Sequence, residues 1–130
     1  MLSNQKDLAQ LLLRLTFGGL MLLNHGWKKF EKLLAGGEIK FADPLGLGAE
    51  FSLYLTVFSE VFCAFLVTIG LFTRWVSIPL IITMVVAAFV VHGADPFAKK
   101  EMALLYLVGY ICIYIFGPGR YSVDSRLGRN

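Results

Sequence analysis

Residues 51–72 read FSLYLTVFSEVFCAFLVTIGLF. The run is apolar throughout, apart from hydroxyl-bearing side chains and one ionisable residue, Glu60. At 1.5 Å per residue, a bilayer core of about 30 Å takes roughly 20 helical residues. This run is long enough to cross one unaided. A carboxylate inside such a helix costs roughly 2.5–3.5 kcal/mol on insertion, so Glu60 calls for a partner and a role.

Three further apolar runs lie at residues 8–23, 76–91 and 102–116, and each reaches spanning length only with its flanks. Of the 130 residues, 57% are hydrophobic and 16% charged, with a mean hydropathy of +0.69. A soluble domain carries about 25% charged residues, and one this small could not bury so much apolar surface. Lipid is therefore the expected solvent. A membrane span is a helix or a barrel strand, and no run shows the strict alternation of a barrel strand. The expected fold is all-α: an integral membrane four-helix bundle in one domain, 1–130, with spans near 8–25, 51–72, 75–92 and 100–117.

The connections fit that plan. WKKFEKLL (27–34) places Trp27, Phe30, Leu33 and Leu34 on one helical face with lysines opposite. This predicts a short interfacial helix in the first loop, which the glycines and Pro44 of residues 35–48 then break. FTRWVSIP (72–79) reads as a tight turn with Pro79 in the next helix's first turn. GPGRY (117–121) reads as a stop. Arg14 within the first run, with no small-residue cleavage site after it, argues against a signal peptide.

Several function classes are excluded at this level. The net charge is +3, but no basic stripe interleaves with aromatics, so no nucleic acid is expected as a partner. Cys63 and Cys112 lie in different runs without a C-x-x-C, which leaves them as small buried apolar side chains. No phosphate-binding glycine loop is present.

Two other stretches frame a candidate site. LLNHGWKKFEK (22–32) and VVHGADPFAKKEMALLYL (90–107) both end an apolar run in His-Gly and continue into Lys-Lys. With alternating spans, His25 and His92 emerge on the same side, where Glu101 begins the fourth helix and Tyr106 follows it down. Taking His25 and Ser52 as surface markers, Arg14 lies roughly 16 Å deep and Glu60 roughly 12 Å deep. Arg14 also shares a helical face with His25. The economical expectation is an Arg14–Glu60 ion pair at the base of a ligand-binding pocket lined by Arg14, His25, Glu60, His92, Glu101 and Tyr106. The plainer alternative is a helix clamp beneath interfacial histidines. No metal is expected at His25, His92 and Glu101, because no i,i+4 histidine pair fixes the ligands.

The order of RLTFGGLMLLNHGWKKF (14–30), Glu60, GLFTR (70–74), His92, KKEMALLYL (99–107) and FGPGRYSVD (116–124) resembles the DoxX family. These are small four-helix bacterial membrane proteins, and the resemblance covers nearly the whole chain except the loop 35–49. It implies a multi-pass protein of the bacterial inner (plasma) membrane. Basic residues divide evenly between the two sides and do not orient it; the acids, fewer at the termini, lean toward cytoplasmic termini. The resemblance further implies a link to membrane redox chemistry and oxidative stress. The expected function is a subunit of a redox complex that binds a quinone-like or other small ligand. The alternative is a non-catalytic carrier or assembly factor. No haem pair, Fe–S cysteine cluster or flavin fingerprint is visible, so the cofactor stays open; the resemblance together with the polar pocket is compatible with a quinone or a thiol-type small molecule. Expected partners are the lipid bilayer and redox-complex subunits, and homo-oligomerisation is compatible with the same reading. Whether the chain is itself an enzyme stays open.

Overall fold

The computed structural model describes residues 2–129, which are all-helical with no strand among them. Helix α1 runs from residue 2 to 35 through the consecutive segments Leu2–Leu13, Arg14–Gly19, Met21–Gly26 and Trp27–Ala35. Helix α2 spans Ala49–Ile69 and α3 spans Thr73–Val91. Helix α4 spans Phe97–Phe116, and a single turn, α5, covers Val123–Arg126. By length and composition α2 and α3 are able to cross a membrane. Leu12, Phe62, Trp75, Phe89 and Leu105 lie exposed on the four long helices. The core is small and mixed, with Met21, Ala64, Val67, Leu80, Ala88 and Tyr110 all buried.

The expected separate interfacial helix at residues 27–34 is not a separate element. Gly26 (φ −65, ψ −42) and Trp27 (φ −60, ψ −42) are both right-handed helical. The Trp27 N–H bonds to the carbonyl of Leu22, five residues back, so the ladder continues across the glycine. Residues 27–34 are therefore the last turns of α1, with Trp27 and Leu34 exposed.

Glycine at position 26 serves helix packing. α1 crosses α2 closely at two points. A Cβ on Gly18 would come 3.0 Å from the Ala64 carbonyl oxygen, and one on Gly26 would come 2.2 Å from that of Glu60. Small residues at such crossings let two backbones approach. They also set the register: Gly18 lies against residues 64–68 and Gly26 against residue 60. We expect Gly26→Ala to destabilise the protein by about 1–3 kcal/mol, the usual range for overpacking. Gly19→Ala, whose Cβ would meet nothing within 4 Å, should be neutral or slightly stabilising. Thermal melts of both variants in detergent test the register.

This register overturns the expected Arg14–Glu60 pair. Arg14 is 1% exposed, but it belongs to the end of the molecule that carries the termini. Its Nε donates to the Pro118 carbonyl at 2.9 Å and its Nη1 to the Thr68 carbonyl at 2.9 Å, while Nη2 donates to the carbonyl of Tyr121. One guanidinium thus ties α1 to the end of α2 and to the C-terminal segment. Two more side chains on the same face of α1 hold that segment. Gln10 donates to the Phe116 carbonyl at 2.7 Å, and Asp7 accepts the Arg120 N–H at 3.2 Å. The depth argument failed because His25 is not at the end of its helix. The helix runs ten residues further, to Ala35, and Gly26, rather than Arg14, lies at the level of Glu60.

Asp124 completes this end. It is 3% exposed and accepts the N–H groups of Phe72 and Thr73 and the Thr73 hydroxyl, each at 2.9 Å. It therefore caps the start of α3 from a distant part of the chain. It also holds Phe72 in a left-handed conformation (φ 51) that a residue with a Cβ adopts only under constraint. The sequence FGPGRYSVD, which reads as a helix stop, is an internal brace.

Candidate functional site

At the opposite end, four of the expected residues come together. A cavity of about 130 Å³ is lined by His25, Glu60, His92 and Tyr106, together with Lys29 and the sulfur side chains Met21, Met84 and Met102. A second cavity, of about 290 Å³, shares Lys29, Glu60 and His92 with the first. It continues along an apolar wall that includes Ile82 and Val86 of α3, and Pro44 and Leu45 of the first loop roof it. Asp43 fixes that loop to α2 by accepting the Leu47 and Gly48 N–H groups, at 2.8 and 3.0 Å, and the Ser52 hydroxyl at 3.1 Å.

Glu60 finds its partner in Lys29, whose Nζ lies 2.6 Å from Oε1. The Glu60 side chain is 4% exposed and that of Lys29 31%, so the carboxylate is buried and the ammonium reaches outward. A short charge-assisted bond of this kind is among the stronger hydrogen bonds a protein makes. Lys29 was absent from the expected set, yet a signal for it was present. The helical face that Arg14 shares with His25 passes close to position 29 when the helix is continued by four residues. Ending the helix at Gly26 hid it.

The remaining side chains are placed by aromatic packing and by the interhelical loop. The His25 ring stands edge-on to Tyr106, with centroids 5.6 Å apart, and Tyr106 stands edge-on to Phe17 at 5.7 Å. The Tyr110 hydroxyl donates to the Phe17 carbonyl at 3.0 Å, which anchors this stack to α1. His92 ends α3 and bonds through Nδ1 to Asp95 Oδ2 at 2.8 Å. Its carboxylate neighbour is thus Asp95 and not the expected Glu101. Glu101 is exposed and lines neither cavity, and Arg14 belongs to the brace at the far end. Among the described residues, no group of three or more His, Cys, Asp or Glu is arranged to hold a metal ion.

Three helices widen at this level. Segments Met21–Gly26, Phe58–Cys63 and Ala87–Val91 adopt the wide π turn, and they contain His25, contain Glu60 and end at His92 respectively. Such widenings occur often at functional sites. They rotate side chains out of the regular helical phase, here toward one cavity.

Asp95 lies in the loop beyond α3. Its hydrogen bond to His92 holds its carboxyl below the usual range, with Lys99 and Lys100 acting in the same direction. A lowered carboxylate pKa means that the pair contributes its stability above the ordinary value of about 3.9. That contribution disappears as pH falls through the lowered folded value. His92→Phe should therefore raise the Asp95 pKa toward its ordinary value, which a carboxyl NMR titration reads directly.

The helical chain thus has two helices long and apolar enough to cross a membrane and a charge-bearing cavity. The chain belongs to the DoxX family, which it matches over residues 9–93. That match takes in His25, Lys29, Glu60 and His92 and ends before α4. The chain is also similar to an uncharacterized membrane protein of Mycobacterium tuberculosis, with 31% identity over 128 residues, covering 85% of this chain and 77% of that protein. No solved structure matches. As a member of this family, the chain is a membrane protein that associates with the lipid bilayer.

Proposed function

We propose that the four long helices form a bundle crossing the bacterial inner membrane, with both termini cytoplasmic, and that the joined cavities bind a quinone-like amphiphile. In this reading the protein serves as a subunit of a membrane redox complex. The observation that carries it is the position of the Lys29–Glu60 pair at the junction of two cavities of different character. The smaller one is rimmed by groups that donate or accept protons: Lys29, His25, His92, Tyr106 and Glu60. The larger has an apolar wall suited to a hydrocarbon tail. Ligand sites are typically apolar clefts with a few convergent polar groups, and intramembrane ionisable residues are functional by default. A head group with carbonyl oxygens would take hydrogen bonds from the ammonium and the imidazoles. The ligand-contacting residues are then His25, Lys29, Glu60, His92 and Tyr106, without Arg14 and Glu101.

The test is direct. Protein extracted with its native lipids into nanodiscs is analysed for co-purifying quinone, then titrated with a short-chain benzoquinone and a short-chain naphthoquinone. We expect one of them to bind. Lys29→Met/Glu60→Gln should weaken it about tenfold or more, the loss expected when the ammonium's hydrogen bond to the head group is removed. Absence of bound quinone together with no titratable binding would overturn the reading. Binding that is unaffected by Glu60→Gln and Lys29→Met would place the ligand elsewhere. Binding without electron exchange in native membranes would favour a carrier over a redox subunit.

A further inference from the structure

The braced end of the molecule has a cleft that the proposed function does not use. It has a volume of about 480 Å³, and three cations from three parts of the chain line it: Lys6 of α1, Arg74 of α3 and Arg120 of the C-terminal segment. Asp7 is the one carboxylate among the described residues that line it. That carboxylate is already engaged by the Arg120 backbone N–H. The side chains of Lys6 and Arg120 make no hydrogen bond or ion pair among the described residues. Arg74 donates through Nε to the Tyr114 carbonyl at 3.2 Å, which fixes its guanidinium at the wall of the cleft.

Large aromatic side chains surround this end. Trp75 is 75% exposed, and Phe72, Phe116 and Tyr121 are about half exposed. Exposed aromatics at the ends of apolar helices mark the level of lipid headgroups. A basic cleft between helix ends at that level matches the chemistry of a phosphodiester headgroup, and basic pockets of this kind bind anionic lipids on the cytoplasmic side. Ser125, at the same wall, adds a hydroxyl donor.

We infer that this cleft binds the phosphate of an anionic phospholipid headgroup, with Lys6, Arg74 and Arg120 as its cationic contacts. The bound lipid would then bridge α1, α3 and the C-terminal segment, of which Arg14 already joins the first and the last. The inference rests on the multi-pass placement proposed above and not on quinone binding. Failure of that placement would show separately, as release of the protein from membranes by alkaline carbonate without detergent.

The experiment is native mass spectrometry of the detergent-purified full chain incubated with phosphatidylglycerol or phosphatidylcholine. Wild-type protein should retain phosphatidylglycerol selectively, and the retention should fall with added salt. Each basic residue near a membrane surface contributes roughly a fivefold preference for anionic lipid, so Lys6→Gln/Arg120→Gln should lower retention about thirtyfold. Lys28→Gln/Lys40→Gln, at the opposite end, should retain the lipid as wild type does. Equal retention of the two lipids, or no loss in the Lys6/Arg120 variant, would overturn the inference. So would displacement of the lipid by millimolar inorganic phosphate, since that would identify a free anion as the occupant.

Discussion

Arg14→Leu is expected to be among the most damaging single substitutions in this protein, lowering its stability in detergent by about 3 kcal/mol or more. The guanidinium is 1% exposed and donates to three carbonyls from two distant parts of the chain. Leucine fills part of the volume but leaves those carbonyls without a donor, at about 1–3 kcal/mol for each buried polar group left unmade. Arg14→Lys should recover only part of the loss. A compact ammonium does not reproduce a planar fork that reaches three acceptors at once. Coupling gives the sharper test. Arg14 and the level of Gly26 are twelve residues apart on one helix, roughly 18 Å along the axis. Arg14→Leu should therefore cost the same in a Glu60→Gln background as in wild type. In an Asp124→Asn background the effects should be non-additive, because both residues hold the same C-terminal segment. Coupling of Arg14 to Glu60 would contradict the register set by Gly18 and Gly26. Limited proteolysis beyond residue 117 offers a second readout, since loss of the brace should expose the tail.

The helices were legible in the sequence because apolar length and turn chemistry report local structure. Glycines 36 and 37 end α1, and the GLFTR turn and the Asp95–Pro96 turn separate the others near the expected positions. Register was not legible, and two ambiguities explain why. Glycine ends helices, but it also permits close helix crossings, and Gly26 has the second role while appearing to have the first. Ionisable side chains also invite pairing with one another, whereas Arg14 is satisfied by main-chain carbonyls. Two of those acceptors, Pro118 and Tyr121, arise where Gly117, Pro118 and Gly119 leave the helical ladder, with both glycines at φ +81, and the third, Thr68, lies at the end of α2. No pattern of side chains encodes an acceptor of this sort. The candidate site was partly legible for the converse reason. His25, Glu60, His92 and Tyr106 line one cavity, although Glu60 and Tyr106 lie mid-helix, because alternating chain direction and similar spacing bring these positions to one level. Lys29 was lost with the helix end, and Glu101 was included because proximity along α4 does not specify its face.

Lys29→Met is expected to damage the protein much more than Glu60→Gln does, although each removes one partner of the same ion pair. The asymmetry follows from burial. The Glu60 side chain is 4% exposed and lies beneath Lys29, whose own side chain is 31% exposed. Removing the lysine leaves the buried carboxylate without the ammonium that pairs with it, and breaking a buried pair in this way costs about 3–5 kcal/mol. Removing the carboxylate's charge leaves an ammonium that is free to turn toward water, so Glu60→Gln should cost no more than the roughly 1.5–3 kcal/mol of a hydrogen bond to a charged group. The double variant Lys29→Met/Glu60→Gln should then be more stable than Lys29→Met alone, since it removes the stranded charge. Retaining so costly a pair is consistent with a role other than stability. If that role is ligand recognition, the double variant should melt near wild type in detergent yet fail to bind the quinone analogue. A double variant as unstable as Lys29→Met would instead trace the loss to packing of the lysine stem against α2, and would remove electrostatics as the reason these two residues meet.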